Sequence, residues 1–417
     1  MEMTKYKLGD LCRIASSKRI FESEYVDQGI PFIRGQEISD GSILDPKASF
    51  ECYISQSRYE EIKEKYGKPT KGDILITAVG TIGNLCYLDK NIDFYFKDGN
   101  VIWFSEIISS CEGKFLFHFM KSSFFKDQLK YFMIGAVQKA LTIDMLKKVE
   151  VPLPPLSEQK KIASVLSALD DKIALNKKMN QKLEAMAKRL YDYWFVQYDF
   201  PDKNGHPYKT TGGPMTYNPT LKREIPAGWE VDVVGNVCET VLGGTPSTEN
   251  ESFWNGNIPW LNSGEVAEFP ILNAEKSITE DAVKNSATAY LPAGSVTLSI
   301  TRHLRPSIMA IDACINQSVA GIKENDILKN GYLYPYLVNE IPRLNTLRGG
   351  AQQPHINKDT VDKSPIVIPA QNVLQQYYEK VNPLYKEIIE KAKESQKLTT
   401  LRDKLLPLLM NGQVVVA

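Results

Sequence analysis

Residues 157–197 contain neither glycine nor proline, and one stripe through them steps by alternating fours and threes: Ile162, Leu166, Leu169, Ile173, Asn176, Asn180, Leu183, Ala187, Leu190 and Trp194. A period of about 3.5 residues marks a coiled-coil seam, whereas an ordinary core helix repeats nearer 3.6. The stretch opens at Pro152, Pro154 and Pro155, where a preceding strand has to end. Ser157 suits the N-cap and Glu158 complements the positive helix N-terminus. Such a helix would be a rod of roughly 60 Å. Asn176 and Asn180 sit mid-seam, where buried amides lower stability but fix register and partner.

The element occurs twice, because the chain repeats. Gly9-Asp10-Leu11-Cys12 returns as Gly235-Asn236-Val237-Cys238, and Ile30-Pro31-Phe32-Ile33 as Ile258-Pro259-Trp260-Leu261. Gly72-Asp73-Ile74-Leu75-Ile76 corresponds to Gly294-Ser295-Val296-Thr297-Leu298, Phe115-Leu116-Phe117 to Tyr332-Leu333-Tyr334, and Gly135-Ala136 to Gly350-Ala351. Order is preserved and the offsets drift only between 215 and 228, as expected when insertions fall in loops. Each half starts with β-rich runs and Gly/Pro turns and closes with a long helix. The second helix, 371–412, keeps Val381, Leu384, Ile388, Leu398, Leu405 and Leu408 on one stripe, with Lys391 and Ser395 as its polar middle. Pro383 and Pro407 predict a bend or restart, with Asn382 as a new cap. The parts are therefore a first globule (1–151), a spacer helix (152–197), a linker (198–226) rich in Pro, Gly, Asn and Thr, a second globule (227–370) and a second helix (371–412). The linker reads as a surface connection, not a core segment.

Fifty basic residues balance fifty acidic ones, so the total charge announces no nucleic-acid partner, but neither does it exclude local patches. The six cysteines never come closer than 25 positions, which argues against a zinc ribbon or a redox pair and for buried free thiols in a reducing compartment. MEMTKYKLGD lacks the apolar core of a signal peptide, and no apolar run reaches membrane-spanning length. A cytoplasmic protein without membrane association is expected.

Globule, helix, globule, helix is an α+β arrangement that closes on itself if the helices pair as an antiparallel coiled coil, Asn176/Asn180 meeting Lys391/Ser395. Two related but unequal globules suit the reading of two short elements along a linear polymer, and double-stranded DNA is the obvious one. A coiled-coil interaction scaffold that binds only protein is the second reading.

Particular runs now carry a resemblance. Val151-Pro152-Leu153-Pro154-Pro155-Leu156-Ser157-Glu158-Gln159-Lys160-Lys161-Ile162-Ala163, Pro226-Ala227-Gly228-Trp229-Glu230, Gly244-Thr245-Pro246-Ser247 and Leu401-Arg402-Asp403-Lys404-Leu405-Leu406-Pro407-Leu408-Leu409-Met410-Asn411-Gly412 resemble the specificity (S) subunit of type I restriction-modification systems. The likeness covers essentially the whole chain. It implies a non-catalytic subunit with two α/β target-recognition domains, each reading half of a bipartite asymmetric DNA site, and two helices that set the unread gap. It also implies two methyltransferase (M) subunits and restriction (R) subunits as partners. S-adenosylmethionine would then belong to the M subunit and ATP with Mg to the R subunit, with no cofactor in this chain. Glu158, Gln159, Ile162, Leu166, Leu169, Asn176, Asn180, Leu183, Leu190, Trp194, Leu398 and Leu405 become the spacer and partner-docking set. The second helix start, Gln371-Asn372-Val373-Leu374-Gln375-Gln376, departs from the Pro-then-Glu-Gln-Lys form of the first. Gly244-Thr245-Pro246-Ser247 has no counterpart near Ser16-Ser17-Lys18-Arg19.

Motifs for catalysis are absent from the sequence. No Asp/Asn-Pro-Pro-aromatic run supports adenine methylation, and no G-x-x-x-x-G-K-[ST] supports ATP-driven translocation. Glu158-Gln159-Lys160 imitates a nuclease Glu-x-Lys but falls in a first helical turn, where capping or subunit contact fits better. His118, His206, His303 and His355 lack metal-ligand spacing, so no metal site is expected, and His118 among Phe115 to Phe119 reads as core.

DNA contacts are expected from polar, basic, Gly-flanked loops at matching places in the two halves. The leading set is Arg343, Arg348, Gln352, Gln353, His355 and Lys358, in a run without acidic residues, with Lys130, Gly135, Gln138 and Lys139 as its counterpart. Arg pairs bidentately with guanine and Gln with adenine, while glycines let the backbone approach phosphate. A second set is Arg302, His303 and Arg305 in Thr301–Arg305, aligned with Thr77–Thr81 and its Thr77 and Thr81. A third is Lys18, Arg19, Arg34 and Gln36 against Thr245, Ser247, Asn262 and Ser263, whose hydroxyls suit phosphates better than bases.

Overall fold

The computed structural model describes residues 3–45, 48–133, 140–350 and 354–416. It divides into two compact units, Met1–Ile173 with Lys397–Ala417, and Ala174–Gln396. The long helices are Leu156–Tyr191, prolonged by a π-turn at Asp192–Val196, and Gln371–Met410, so each contributes to both units.

The repeat read from the sequence is a repeat of topology. In the first unit an antiparallel sheet runs Arg13–Ala15, Val101–Ser105, Ile74–Thr77, Leu85–Tyr87. The second unit repeats it as Thr240–Leu242, Val319–Ile322, Val296–Ser299, Arg305–Ile308. The central strands ILIT and VIWFS are buried at every position, as expected where both faces are covered. A companion sheet also recurs. Ile30–Ile33 lies antiparallel to Tyr53–Ile54 and parallel to Tyr95–Phe96, as Trp254–Leu261 lies antiparallel to Lys276–Ile278 and parallel to Ala313–Ile315. Finally, Thr4–Lys7 pairs with Glu150–Leu153 just before one long helix, and Glu230–Val233 with Pro365–Ile368 just before the other.

The long helices are built into the cores. In the first unit Ile162, Ala163 and Leu166 pack with Leu406, Leu409 and Met410 against Leu8, Phe104 and Phe115. Burying one such side chain stabilises by about 1.5–3 kcal/mol, so the chain's last helical turns complete the core of its first unit. In the second unit Ala187, Tyr191, Trp194 and Phe195 pack with Val373, Tyr377, Val381 and Ile388 against Val296 and Leu298. Within each unit the helices pair antiparallel. Asp170 meets Arg402 and Lys161 reaches the carbonyl of Val416 in the first; Asn176 and Asn180 meet Glu394 and the carbonyl of Ile388 in the second. Every residue of the predicted seam, Ile162 to Trp194, is buried or half-buried.

Four details differ from the sequence reading. Leu156 is already helical and the carbonyl of Pro155 accepts from the Glu158 and Gln159 amides, so Ser157 lies in the first turn and is not the N-cap. The second helix runs through Pro383 and Pro407 without a break; burial of Val381, Tyr385 and Ile388 around the exposed Pro383 offsets a cost of about 3 kcal/mol. Segment 198–226 is not only surface: Tyr198, Phe200 and Ile225 are core, and Phe200 stacks between Tyr208 (4.6 Å) and Trp229 (5.0 Å). Aromatic residues spaced among turn formers hid that role. Lys391 and Ser395 meet the asparagines only through Glu394, which accepts from Asn176 and pairs with Lys391; Lys391 also pairs with Glu387, and the Ser395 hydroxyl donates to the Lys391 carbonyl.

Candidate nucleic-acid interface

In each unit three segments meet at the same edge of the central sheet. In the first, strand Ile30–Ile33 leads into the turn Gly35–Ser39, pinned by the Arg34 amide donating to the Glu37 carboxylate at 2.8 Å. Asn84, at the far side of the loop after Ile74–Thr77, donates to the Ser39 hydroxyl at 2.7 Å, and the Leu141 amide to the Ala78 carbonyl at 3.0 Å. In the second, the Asn262 amide donates to the Glu265 carboxylate at 2.9 Å, Ser307 donates to the carbonyl of Glu268, and the Ile356 amide to that of Ile300 at 3.1 Å. Arg34 and Asn262 therefore stand at equivalent positions with different side chains.

These bonds also fix the register of the loop after the central strand. Thr77 and Ser299 end that strand, facing Val101 and Val319, so Ala78 matches Ile300 and Gly80 matches Arg302. The sequence alignment of Thr77 with Thr301 is therefore shifted by two residues. Gly80 and Arg302 both have positive φ, 75° and 56°. Glycine tolerates that conformation, whereas a residue with a Cβ loses about 1–2 kcal/mol there. The second unit thus holds an arginine where the first uses glycine. Arg302, His303 and Arg305 are all exposed.

The remaining candidates are placed as follows. Arg343 bonds Glu340 at 2.6 Å and Ser364 at 2.6 Å, and Lys358 pairs with Asp362, so the two ends of the run without acids are neutralised by acids just outside it. Arg348 donates to the carbonyls of Arg302 and Pro354, the latter at 2.8 Å. His355 is exposed, and its backbone pairs with Gly349 and Thr301. Arg34 pairs with Glu51, Arg19 with Asp98 at 2.9 Å and Lys130 with Asp127 at 3.1 Å; Lys18 lies over the Tyr66 ring at 5.5 Å. Thr77 is buried and donates to the carbonyl of Thr81, which is itself exposed, so Thr77 shapes the loop. Thr245 bonds Gln317, the Ser247 carbonyl accepts from Trp254 at 3.1 Å, and the Asn262 side chain accepts from Gly264 at 2.7 Å. Gln36 is exposed and Ser263 half-buried beside these turns. Gly135, Gln138, Lys139, Gln352 and Gln353 lie outside the described residues.

The helix set divides by role. Gln159 is buried and fully bonded: it accepts from the Glu112 amide at 2.7 Å and donates to the carbonyls of Pro154 (2.8 Å) and Ser110 (3.0 Å). It holds the backbone of Glu112, the residue that leads into the helix Gly113–Lys121, a task the sequence motif did not reveal. Glu158 pairs with Lys161 at 3.3 Å. Also unforeseen is an ionic knot in which Asp170 takes Lys121 and Arg402, each at 2.8 Å, beside His118, whose Nε2 lies 3.1 Å from the Ser167 hydroxyl. Burial and the nearby Lys121 push the His118 pKa down to about 4, while the bonds from Lys121 and Arg402 outweigh burial and hold Asp170 below the usual carboxylate range. Burial pushes the thiols of Cys86 and Cys111 up to about 12, which leaves them unreactive. Among the described residues no helix is long and apolar enough to cross a membrane.

The comparisons agree with this duplicated arrangement. The family described as the Type I restriction modification DNA specificity domain matches residues 1–185 and again 226–400, one match in each half of the repeat. The chain belongs to this family, that of the specificity subunits of type I restriction-modification systems. The Type I restriction enzyme MjaIX specificity subunit of Methanocaldococcus jannaschii is 28% identical over 436 aligned residues, covering 99% of this chain and 97% of that protein. The HindI specificity subunit of Haemophilus influenzae is 22% identical, covering 98% and 99%. The crystal structure of a type I S subunit from M. genitalium superposes with a TM-score of 0.59 at 13% identity, over 98% of this chain and 96% of that one, and so shares the fold.

Proposed function

We propose that each unit reads one half of a bipartite, asymmetric sequence in double-stranded DNA, and that the two long helices set the unread gap and dock two methyltransferase subunits. Restriction subunits join that complex for cleavage. The chain itself performs no chemistry: S-adenosylmethionine is held by the methyltransferase subunits, and ATP with Mg by the restriction subunits. The observation that carries the reading is the recurrence of one three-segment edge in both units with unlike side chains on it. Gly80 becomes Arg302, Arg34 becomes Asn262 and Asn84 becomes Arg305. A common frame lays each edge against DNA in the same manner, while different donors at equivalent points choose different bases. That is how a duplicated fold would read an asymmetric site.

Selection of bound duplexes from a random pool, with the chain assembled with its methyltransferase subunits, tests this. Enrichment of two short elements at one fixed spacing is expected. Recovery of duplexes without a shared element would refute the reading and favour a scaffold that binds only protein.

A further inference from the structure

The second unit's loop Thr301–Arg305 carries three exposed nitrogen-bearing side chains, and its Arg302 has the left-handed backbone that Gly80 fills at the same point of the first unit. Around Gly80 a Cβ would meet nothing within 4 Å, so space does not impose glycine there; the backbone conformation favours it. An arginine held in that conformation has to be fixed by its surroundings. The fixing group is Arg348. Its guanidinium donates to the carbonyl of Arg302 itself and to that of Pro354 at 2.8 Å, with Asn345 Oδ1 at 3.5 Å. The two loops are further joined at Thr301 and His355, and His355 exchanges two backbone bonds with Gly349, at 2.9 and 3.0 Å.

We infer that Arg348 is a positioning residue: it does not itself touch DNA but clamps the loop Thr301–Arg305 so that Arg302 is presented to the second half-site. This rests on the proposed reading of DNA by both units. The planar fork of arginine suits the task, since one side chain reaches carbonyls of two separate loops while keeping its donors in a fixed plane. Among the described residues of the first unit no arginine clamps the corresponding loop, and Gly80 has no side chain to present. The two half-sites are then held by different means: an arginine-tipped finger in one, and in the other a glycine turn flanked by Arg34 and Asn84.

A double-mutant cycle in the full chain, assembled with its methyltransferase subunits, separates positioning from contact. Arg302→Gly suits the observed φ and removes the fingertip without straining the loop. Arg348→Ala leaves the fingertip charge but frees it. Each single change is expected to weaken binding to DNA with an intact second half-site by about tenfold, the scale of one good base contact. Neither should alter the preference at the first half-site. The double variant is expected to bind no more than about twofold more weakly than the weaker single variant. Hydrogen exchange at the amides of Gly349, His355 and Ile356 should quicken in Arg348→Ala and stay unchanged in Arg302→Gly. Multiplying losses in the double variant would show that Arg348 contacts DNA itself and overturn the inference, as would unaltered binding in either single variant. A parent complex with no sequence preference at all would instead sink the functional reading.

Discussion

Lowering the pH from 7 to 5 should weaken the first unit through His118 alone by about 2 kcal/mol. The imidazole is buried in the helix Gly113–Lys121, against Ser167 and Asp170 of one long helix and Arg402 of the other. Its pKa falls from 6.5 to about 4, with burial the largest cause and the cations Lys121, Lys114 and Arg402 outweighing the pull of Asp170. The folded state thus binds fewer protons than the unfolded state between those values. Its stability is fully present above pH 6.5 and is lost as the pH falls toward 4. Integrating the linkage gives a loss of about 2 kcal/mol between pH 7 and pH 5. His118→Gln keeps a partner for Ser167 and removes the titration. Trp103 is the only tryptophan among residues 1–173 and 397–417, so fluorotryptophan resonances during urea unfolding at the two pH values report on this unit. Carboxylates away from His118 titrate equally in both proteins and Asp170, held below the usual carboxylate range, stays ionised from pH 7 to 5, so the difference between the proteins isolates His118. Equal pH dependence in the two would refute the reasoning.

Two further perturbations probe the junctions between helices and sheets. Gln159→Ala leaves the Glu112 amide and the carbonyls of Ser110 and Pro154 without that partner and should cost about 1–3 kcal/mol, seen as a melting temperature lower by several degrees. An unchanged melting temperature with lost methyltransferase binding would return Gln159 to a docking role. Leu409→Ala, in the last turns of the second helix, should cost about 2–5 kcal/mol in the first unit, measured at Trp103 by urea unfolding, and little in the second. Equal losses in both units would contradict the division of the helices between them.

How much of this the sequence discloses depends on the range of the interactions. The seam from Ile162 to Trp194 is legible because helical periodicity is local, and the repeat because strand ends such as Ile30–Ile33 and Ile258–Leu261 keep their order. Continuity through Pro383 was not legible, since a proline's cost is local while the burial that offsets it comes from the far side of the core. The loop from Arg343 to Lys358 looked free because Glu340 and Asp362 fall just outside it, and because Arg348 finds its acceptor 46 positions away. The match of Arg302 to Gly80 needed strand register, which in a sheet built from distant segments no local pattern reports. Gln159 likewise satisfies groups 47 and 49 residues upstream.

The most direct test of two unlike units reading one asymmetric site is the genome-wide mapping of methylated adenine in cells that carry this chain with its methyltransferase. The account predicts modification at a single motif made of two different short elements with a constant unread gap. Arg302→Gly should relax only one of those elements. A continuous motif, two identical elements, or relaxation of both by that single substitution would contradict it.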